Sequence, residues 1–254
     1  MKTLVIPDLH LKQSFILPIF DNLIKESKVD KIVFLGDYFD EWLLTNNTDL
    51  YYQEIDYMYK WIIDKRANNV DVRLLLGNHD IPYLTKYYRH YSHNNDKLSD
   101  YIKDKLFSLG IQICIEIDNY LLSHGGYANN SIPEDWHFKL LDERDINKLI
   151  ILENNVGISR GGTNLVGNVI WCDYDKDLLV YSNEYYPKQI VGHTPQRKVT
   201  NNNDYWCVDT FSLNSNLIPY GNGEIIIIDD GKINVLKTNY LNIINKVLNE
   251  NEFI

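Results

Sequence analysis

The sequence of 254 residues contains few cysteines and no long hydrophobic run. Its three cysteines, Cys114, Cys172 and Cys207, cannot all pair with one another, and none belongs to a CxxC motif of the kind that binds zinc or carries thiol redox chemistry. No apolar segment approaches the roughly 20 residues that cross a bilayer, and the apolar run near Met1 is shorter than that of a signal peptide. We therefore expect a soluble cytoplasmic protein with no membrane partner.

Positive charge is scarce as well. The chain has 25 Lys and Arg residues against 35 Asp and Glu residues, which gives a net charge of −10. Proteins that hold duplex nucleic acid do so through clustered Lys and Arg side chains that displace counterions, so stable duplex binding is not expected. A substrate that carries phosphate would need positive charge from another source.

The first third of the sequence alternates short aliphatic runs with segments of helical periodicity. With 44% hydrophobic residues the chain can bury a large core. The alternation is typical of buried parallel strands that are joined by helices. We predict strands at 3–6, 31–35 and 72–76 and helices at 14–27 and 48–68, the second capped at Thr48 and Asp49.

Strand-like segments dominate the second half, and no composition shift marks a domain boundary. Asp230-Gly231, between the last two segments, is a strong signal for a two-residue hairpin. We therefore expect one α/β domain over residues 1–254, with two mixed β-sheets packed as a sandwich and flanked by helices. A second, partly antiparallel set of strands is predicted at 111–117, 120–126, 188–195, 204–210, 223–229 and 232–236.

Polar residues follow five of these strand-like segments. Taken singly, each is more often a turn or a locally bonded histidine than a functional group. Ligands of α/β proteins bind beyond the carboxyl ends of the strands, so the five loops can converge on one point. They offer carboxylate, imidazole and amide ligands in the number that two divalent metal ions need. The residues are Asp8 with His10, Asp37 with Asp40, Asn78 with His79 and Asp80, His124, and His193.

The order of these motifs resembles that of the calcineurin-like metallophosphoesterase superfamily. The motifs are DLH (8–10), GDYFD (36–40), GNHD (77–80), SHGG (123–126) and GHTP (192–195). With WCDYDKD (171–177) and VDT (208–210), the sequence is similar to the phosphoprotein phosphatase branch, which includes bacterial and phage serine/threonine phosphatases and diadenosine tetraphosphatases. The resemblance covers about residues 3–230 and implies hydrolysis of phosphate esters by a hydroxide that bridges two metal ions.

The resemblance also implies a role for each residue. Asp8 and His10 would bind the first metal, Asp37 would bridge both, and Asn78, His124 and His193 would complete the second. His79 would protonate the leaving group with Asp40 as its partner, and Asn78 would also contact the substrate. Two divalent ions against two carboxylates leave about two positive charges for a phosphate dianion. The mixed ligands suit Mn²⁺, with Fe or Zn as alternatives.

The sequence departs from the pattern of that branch at more than one position. Glu41 follows GDYFD where an arginine normally binds phosphate, and no arginine lies between Asp173 and His193. Arg160 is the leading candidate to replace it, with Arg89 and Arg197 as alternatives.

Three functions stay open at this stage. The leading prediction is a phosphomonoesterase of the serine/threonine protein phosphatase type. The alternatives are a phosphodiesterase or dinucleoside polyphosphate hydrolase that acts on nucleotides, and a binding module without catalysis. The partner is accordingly a phosphorylated substrate, either a phosphoprotein or a nucleotide. Two tyrosine-rich segments, 83–93 and 183–187, are predicted either to line the cleft or to pack as structure.

Overall fold

A computed structural model describes residues 1–250 of the chain, so the last four residues of the predicted domain lie outside it. The helices are α1 (Gln13–Ser27), α2 (Thr48–Ala67), α3 (Ile81–Thr85), α4 (Asp96–Leu109), α5 (Ile146–Asn154) and α6 (Tyr240–Asn249). The strands are β1 (Lys2–Ile6), β2 (Lys31–Phe34), β3 (Asp71–Leu75), β4 (Ile111–Gln112), β5 (Cys114–Ile117), β6 (Tyr120–Ser123), β7 (Gln189–Val191), β8 (Thr200–Asn202), β9 (Tyr205–Cys207), β10 (Ile225–Asp229) and β11 (Lys232–Leu236).

The strands form two mixed sheets, which confirms the predicted fold class. The first sheet has the order β11-β10-β1-β2-β3-β4, and the second has the order β5-β6-β7-β9-β8. Within the first sheet β1 to β4 are parallel, and within the second β6, β7 and β9 are parallel. Each sheet therefore directs the carboxyl ends of three or more neighbouring strands to one edge.

Side chains that alternate along the strands of the first sheet contribute to two separate cores. Val5, Val33 and Leu75 pack between the sheets with Leu122 and Ile190 of the second sheet. Their neighbours on the same strands face the other way, into the larger cluster with the helices; these include Leu4, Ile6, Ile32, Phe34 and Leu74. Burial on both faces explains why the strands read as continuous apolar runs. No helix within residues 1–250 is long and apolar enough to cross a membrane.

Three local predictions were wrong. The strand predicted at 111–117 is divided, because Gln112 ends β4 in the first sheet and Cys114 begins β5 in the second. The hairpin through Asp230-Gly231 forms as predicted, but its strands join the first sheet, where β10 pairs antiparallel with β1. The cap of α2 is Asn47, whose side chain accepts the N–H of Leu50 at 3.2 Å.

Candidate active site

Loops at the carboxyl ends of five parallel strands hold all but one of the predicted site residues. Three of these strands belong to the first sheet and two to the second, and the sheets pack against each other, so their loops meet at one edge of the sandwich. Asp8 and His10 follow β1, Asp37 and Asp40 follow β2, Asn78 and His79 follow β3, His124 follows β6, and His193 follows β7.

His124 lies at the centre of one group of donor atoms. Its Nδ1 is 2.9 Å from the carbonyl oxygen of Leu35, which only accepts, so the neutral ring carries its hydrogen there and presents a lone pair at Nε2. Three further atoms face this Nε2, namely Asn78 Oδ1 at 3.1 Å, His193 Nδ1 at 3.1 Å and Asp37 Oδ2 at 3.3 Å. A cation placed among them would satisfy all four.

Asp37 also belongs to a second group. Its carboxylate and the ring nitrogens of His10 and His79 offer ligand atoms that all lie within 4.8 Å of one another. His10 Nδ1 faces two main-chain carbonyl oxygens at 2.8 and 3.0 Å, so the neutral ring presents its Nε2 lone pair, 3.7 Å from Asp37 Oδ2. Asp37 thus lies between two groups of donors, as expected of a carboxylate that bridges two ions.

Asp8 is buried beside the loop of His193 and lies outside both groups. Its Oδ2 accepts the main-chain N–H of His193 at 3.0 Å, and a Cβ on Gly192 would lie 2.2 Å from its Oδ1. Burial and the neighbouring carboxylates of Asp209 and Asp37 raise the pKa of Asp8 well above its usual value. A divalent cation relieves such repulsion between buried carboxylates, so Asp8 is suited to hold one.

The chemistry of these donors fits divalent metal ions. Carboxylate oxygens, imidazole nitrogens and an amide oxygen together suit Mn²⁺, Fe²⁺ or Zn²⁺. Burial raises the pKa of Asp37, but the neighbouring imidazoles of His124 and His79 outweigh this effect and hold it well below its usual value. Asp37 is therefore ionised, as a metal ligand must be.

His79 and Asp40 form a hydrogen-bonded pair. His79 Nδ1 lies 3.1 Å from Asp40 Oδ2, while Asp40 Oδ1 accepts the hydroxyls of Tyr51, at 2.6 Å, and Tyr83. Burial lowers the pKa of His79, but Asp37 and Asp40 outweigh this effect and raise it to about 9. The imidazole is thus fixed in orientation and keeps its proton at neutral pH. Tyr83 belongs to the segment 83–93, and here it packs as structure.

Asp80, to which no role was assigned, joins the loops after β2 and β3. Its carboxylate accepts the main-chain N–H groups of Asp37, Tyr38 and Gly77 at 2.8–2.9 Å. A Cβ on Gly36, which has φ +104°, would lie 2.4 Å from the nitrogen of Gly77, so this approach requires glycine. Asp37 itself has φ +53°, a conformation that is rare for residues with a side chain and is held here by these contacts.

Glu41, at the position of the expected arginine, forms an ion pair with Lys12. Lys12 is fully buried and Glu41 is 5% exposed. Lys12 also donates to the main-chain oxygen of His10 at 3.0 Å. The pair therefore ties the loop of His10 to the loop of Asp40 and has no surface on which to bind phosphate.

Arg160 lies next to the donor groups and is engaged by three neighbours. Its Nε is 3.0 Å from Asp173 Oδ2, and its Nη2 donates to Thr194 Oγ1 at 2.9 Å and to the main-chain oxygen of His193 at 3.2 Å. These contacts position the His193 loop. A phosphate-binding role for Arg160 stays a prediction.

The two alternative arginines are engaged as well. Arg89 pairs with the buried carboxylate of Glu153, and the Arg197 guanidinium lies 5.4 Å from the ring centroid of Tyr220. The first binds a carboxylate and the second packs on an aromatic ring. Arg89 is therefore not presented as a free cation for phosphate.

Two aromatic side chains flank the donor groups. The ring centroid of Tyr91 is 4.3 Å from that of His79, and the ring centroid of Trp171 is 5.8 Å from that of His193. Tyr91 comes from the segment 83–93, so part of that segment contacts the site. The segment 183–187 instead contacts the loop that follows β6, where Asn183 donates to main-chain oxygens at 2.6 and 3.0 Å.

Comparison with known proteins gives one family and several structural neighbours. The model of the calcineurin-like phosphoesterase family matches residues 1–227. A variant of a cold-active protein tyrosine phosphatase is 18% identical, with a TM-score of 0.54 over 93% of this chain and 80% of that chain. A protein serine/threonine phosphatase from Saccharomyces cerevisiae is 17% identical, with a TM-score of 0.54 over 94% of this chain and 79% of that chain.

A third structure, a putative diadenosine tetraphosphatase, is 12% identical with a TM-score of 0.45 over 93% of both chains. No curated protein sequence matches the chain. At these identities the two phosphatase structures with a TM-score of 0.54 show a shared fold and leave the substrate open. The family match spans most of the sequence, including every loop that carries the donor groups and the His79–Asp40 pair. The chain therefore belongs to the calcineurin-like phosphoesterase family and is a hydrolase that acts on phosphate esters.

Proposed function

We propose that the protein is a metal-dependent phosphomonoesterase of the serine/threonine protein phosphatase type. The observation that supports this most directly is the protonated, oriented imidazole of His79 beside Asp37, whose carboxylate lies between the ring of His10 and the donor group of His124. A monoester with a poor leaving group needs both a cationic site for its phosphate and a proton for its leaving oxygen. The substrate on this proposal is a phosphoprotein or a small phosphorylated molecule.

Two divalent metal ions, with Mn²⁺ the best suited, would be held by the six predicted ligands. When bound, they supply positive charge that offsets the phosphate and activates water for attack. Asp37 would bridge them, with Asp8 and His10 on one side and Asn78, His124 and His193 on the other. The main-chain carbonyl oxygens that accept from His10 and His124 fix which ring nitrogen faces the ions.

His79 supplies the proton. Its Nδ1 is held by Asp40, so its Nε2 is the nitrogen that donates to the leaving oxygen. Tyr51 and Tyr83 hold Asp40 from the side opposite the imidazole, which preserves the orientation of the pair. Asn78 would contact the substrate as well as an ion, because it directly precedes His79 in the same loop.

A specific observation favours a second candidate, a phosphodiesterase or dinucleoside polyphosphate hydrolase. Glu41 is paired with Lys12, and Arg160 and Arg89 each pair with a carboxylate, so neither of these two arginines is presented freely to a terminal phosphate dianion. A diester carries less charge and needs such a clamp less. Tyr91 and Trp171 would offer aromatic faces to a nucleobase.

A substrate panel with added Mn²⁺ separates these candidates. We expect the protein to hydrolyse p-nitrophenyl phosphate and a phosphopeptide faster, by kcat/KM, than bis-p-nitrophenyl phosphate or diadenosine tetraphosphate. The reverse order would overturn the monoesterase proposal in favour of the second candidate. Metal binding without turnover of any compound would instead identify a binding module.

A further inference from the structure

Tyr91 is an aromatic side chain beside the site to which the monoesterase mechanism assigns no role. Its ring centroid lies 4.3 Å from that of His79, with 41° between the ring planes. This is contact distance for two rings, so the phenol packs against the imidazole. The ring of His10 also approaches His79, edge-on with the centroids 5.0 Å apart. Two rings therefore confine the imidazole in addition to its hydrogen bond with Asp40.

The hydrogen bond to Asp40 fixes only one atom of the imidazole. Nδ1 of His79 lies 3.1 Å from Asp40 Oδ2, and a single hydrogen bond leaves the ring free to rotate about that contact. A group that transfers a proton has to be held within about 0.5 Å and roughly 10–20° of its productive geometry. A misplacement of about 1 Å can cost on the order of 10²-fold in rate. A ring packed against the imidazole can supply the constraint that the hydrogen bond lacks.

Tyr91 is itself held on several sides. Its ring centroid lies 5.2 Å from that of His90 and 6.5 Å from that of Trp171. Its hydroxyl donates a long hydrogen bond, of 3.5 Å, to Oε1 of the fully buried Glu153. Trp171 Nε1 donates to Oε2 of the same carboxylate at 3.2 Å, and Arg89 neutralises its charge. The phenol ring is therefore a fixed part of the surroundings of His79.

We propose that Tyr91 is a positioning residue that holds His79 in the orientation from which it protonates the leaving oxygen. The inference rests on the proposed role of His79 as the proton donor. Tyr91 acts through its ring, because the ring contacts His79 whereas the hydroxyl contacts Glu153. It supports the imidazole and does not stack on the substrate, so loss of the ring should lower kcat and leave KM nearly unchanged.

Hydrolysis of a phosphoserine peptide and of p-nitrophenyl phosphate, each with added Mn²⁺, tests the inference. Tyr91→Leu keeps apolar bulk and removes the aromatic ring. It should lower kcat on the phosphoserine peptide by about tenfold or more, and it should affect p-nitrophenyl phosphate much less. Tyr91→Met, with a more adaptable side chain, should show the same pattern if the leucine variant folds poorly.

Two matched variants serve as controls. Tyr91→Phe keeps the ring and loses only a long hydrogen bond, so its kcat should stay within about threefold of the wild-type value on both substrates. Tyr185→Leu makes the same replacement at a tyrosine that is 68% exposed, and it should match the wild-type protein.

A double variant separates positioning from other roles. Because Tyr91 acts through His79, the variant that combines Tyr91→Leu with His79→Asn should be no slower on the phosphoserine peptide than His79→Asn alone. Additive losses, equal slowing of both substrates by Tyr91→Leu, or a rise in KM without a fall in kcat would each overturn the inference. If His79→Asn by itself lacks the dependence on the leaving group, the proposed proton donor is wrong as well.

Discussion

Asp40 is fixed by Tyr51 and Tyr83 and in turn orients His79. If His79 is the proton donor, His79→Asn should slow the hydrolysis of alkyl phosphates by about 10²–10⁴-fold. The same variant should affect p-nitrophenyl phosphate much less, because p-nitrophenolate leaves without a proton whereas an alkoxide does not. Steady-state rates on a phosphoserine peptide and on p-nitrophenyl phosphate measure the difference.

Asp40→Asn is the companion variant for this prediction. It misorients the imidazole without deleting it, so the same dependence on the leaving group should appear in weaker form. Bound Mn²⁺, measured on both purified variants, should equal that of the wild-type protein. Loss of an ion from His79→Asn would instead make His79 a metal ligand, as its place beside His10 and Asp37 permits, and equal slowing of both substrates would make it a positioning residue.

At the scale of helices and strands, α1 depends on α2 for its amino-terminal cap. Lys12 at the start of α1 offers no side-chain cap, and Glu54 of α2 accepts the N–H and hydroxyl of Ser14 at 2.7 and 2.6 Å. Burial raises the pKa of Glu54 to about 7, against the opposing effect of these hydrogen bonds. The folded state therefore favours the protonated carboxyl of Glu54. This stabilisation of the fold is complete below the unfolded-state pKa and is lost as the pH rises through about 7.

Glu54→Gln keeps a cap for Ser14 and removes this titration. Relative to the wild-type protein, the free energy of unfolding of the variant should rise with pH by about 1.4 kcal/mol per unit across this window, to a total on the order of 3 kcal/mol. Urea unfolding at about pH 5 and about pH 8 measures the change. Glu26→Gln, an exposed position on α1, is the control and should show no such trend. A constant difference for Glu54→Gln would contradict the prediction.

At the scale of the whole molecule, both sheets and the loops of five strands meet at one cluster of buried carboxylates and imidazoles. Ions that bind there only in the folded state should stabilise the entire fold, by about 2.7 kcal/mol for each site at 100 times its Kd. Chelation should abolish hydrolysis and lower the Tm by roughly 5–10 °C for one such site. Activity assays and differential scanning calorimetry before and after added Mn²⁺ check both effects. Full activity in chelated protein would refute the requirement for metal.

Local patterns in the sequence determined much of the fold. Apolar runs of four or five residues predicted β1, β2 and β3, because strands that are buried on both faces need no polar positions. Periodicity predicted α1 and α2 to within one residue, and Asp230-Gly231 predicted the last hairpin. The loops after these strands are where the predicted site residues lie, because parallel strands end at a common edge.

Only the tertiary structure decided which distant residues support that site. Tyr51 and Tyr83 hold Asp40, Asp80 joins two loops, and Lys12 takes the side chain of Glu41. The division of 111–117 between two sheets likewise depends on how the sheets pack. The physical reason is that periodicity reports neighbours within about four positions along the chain, whereas burial and hydrogen bonding join residues by their place in the fold.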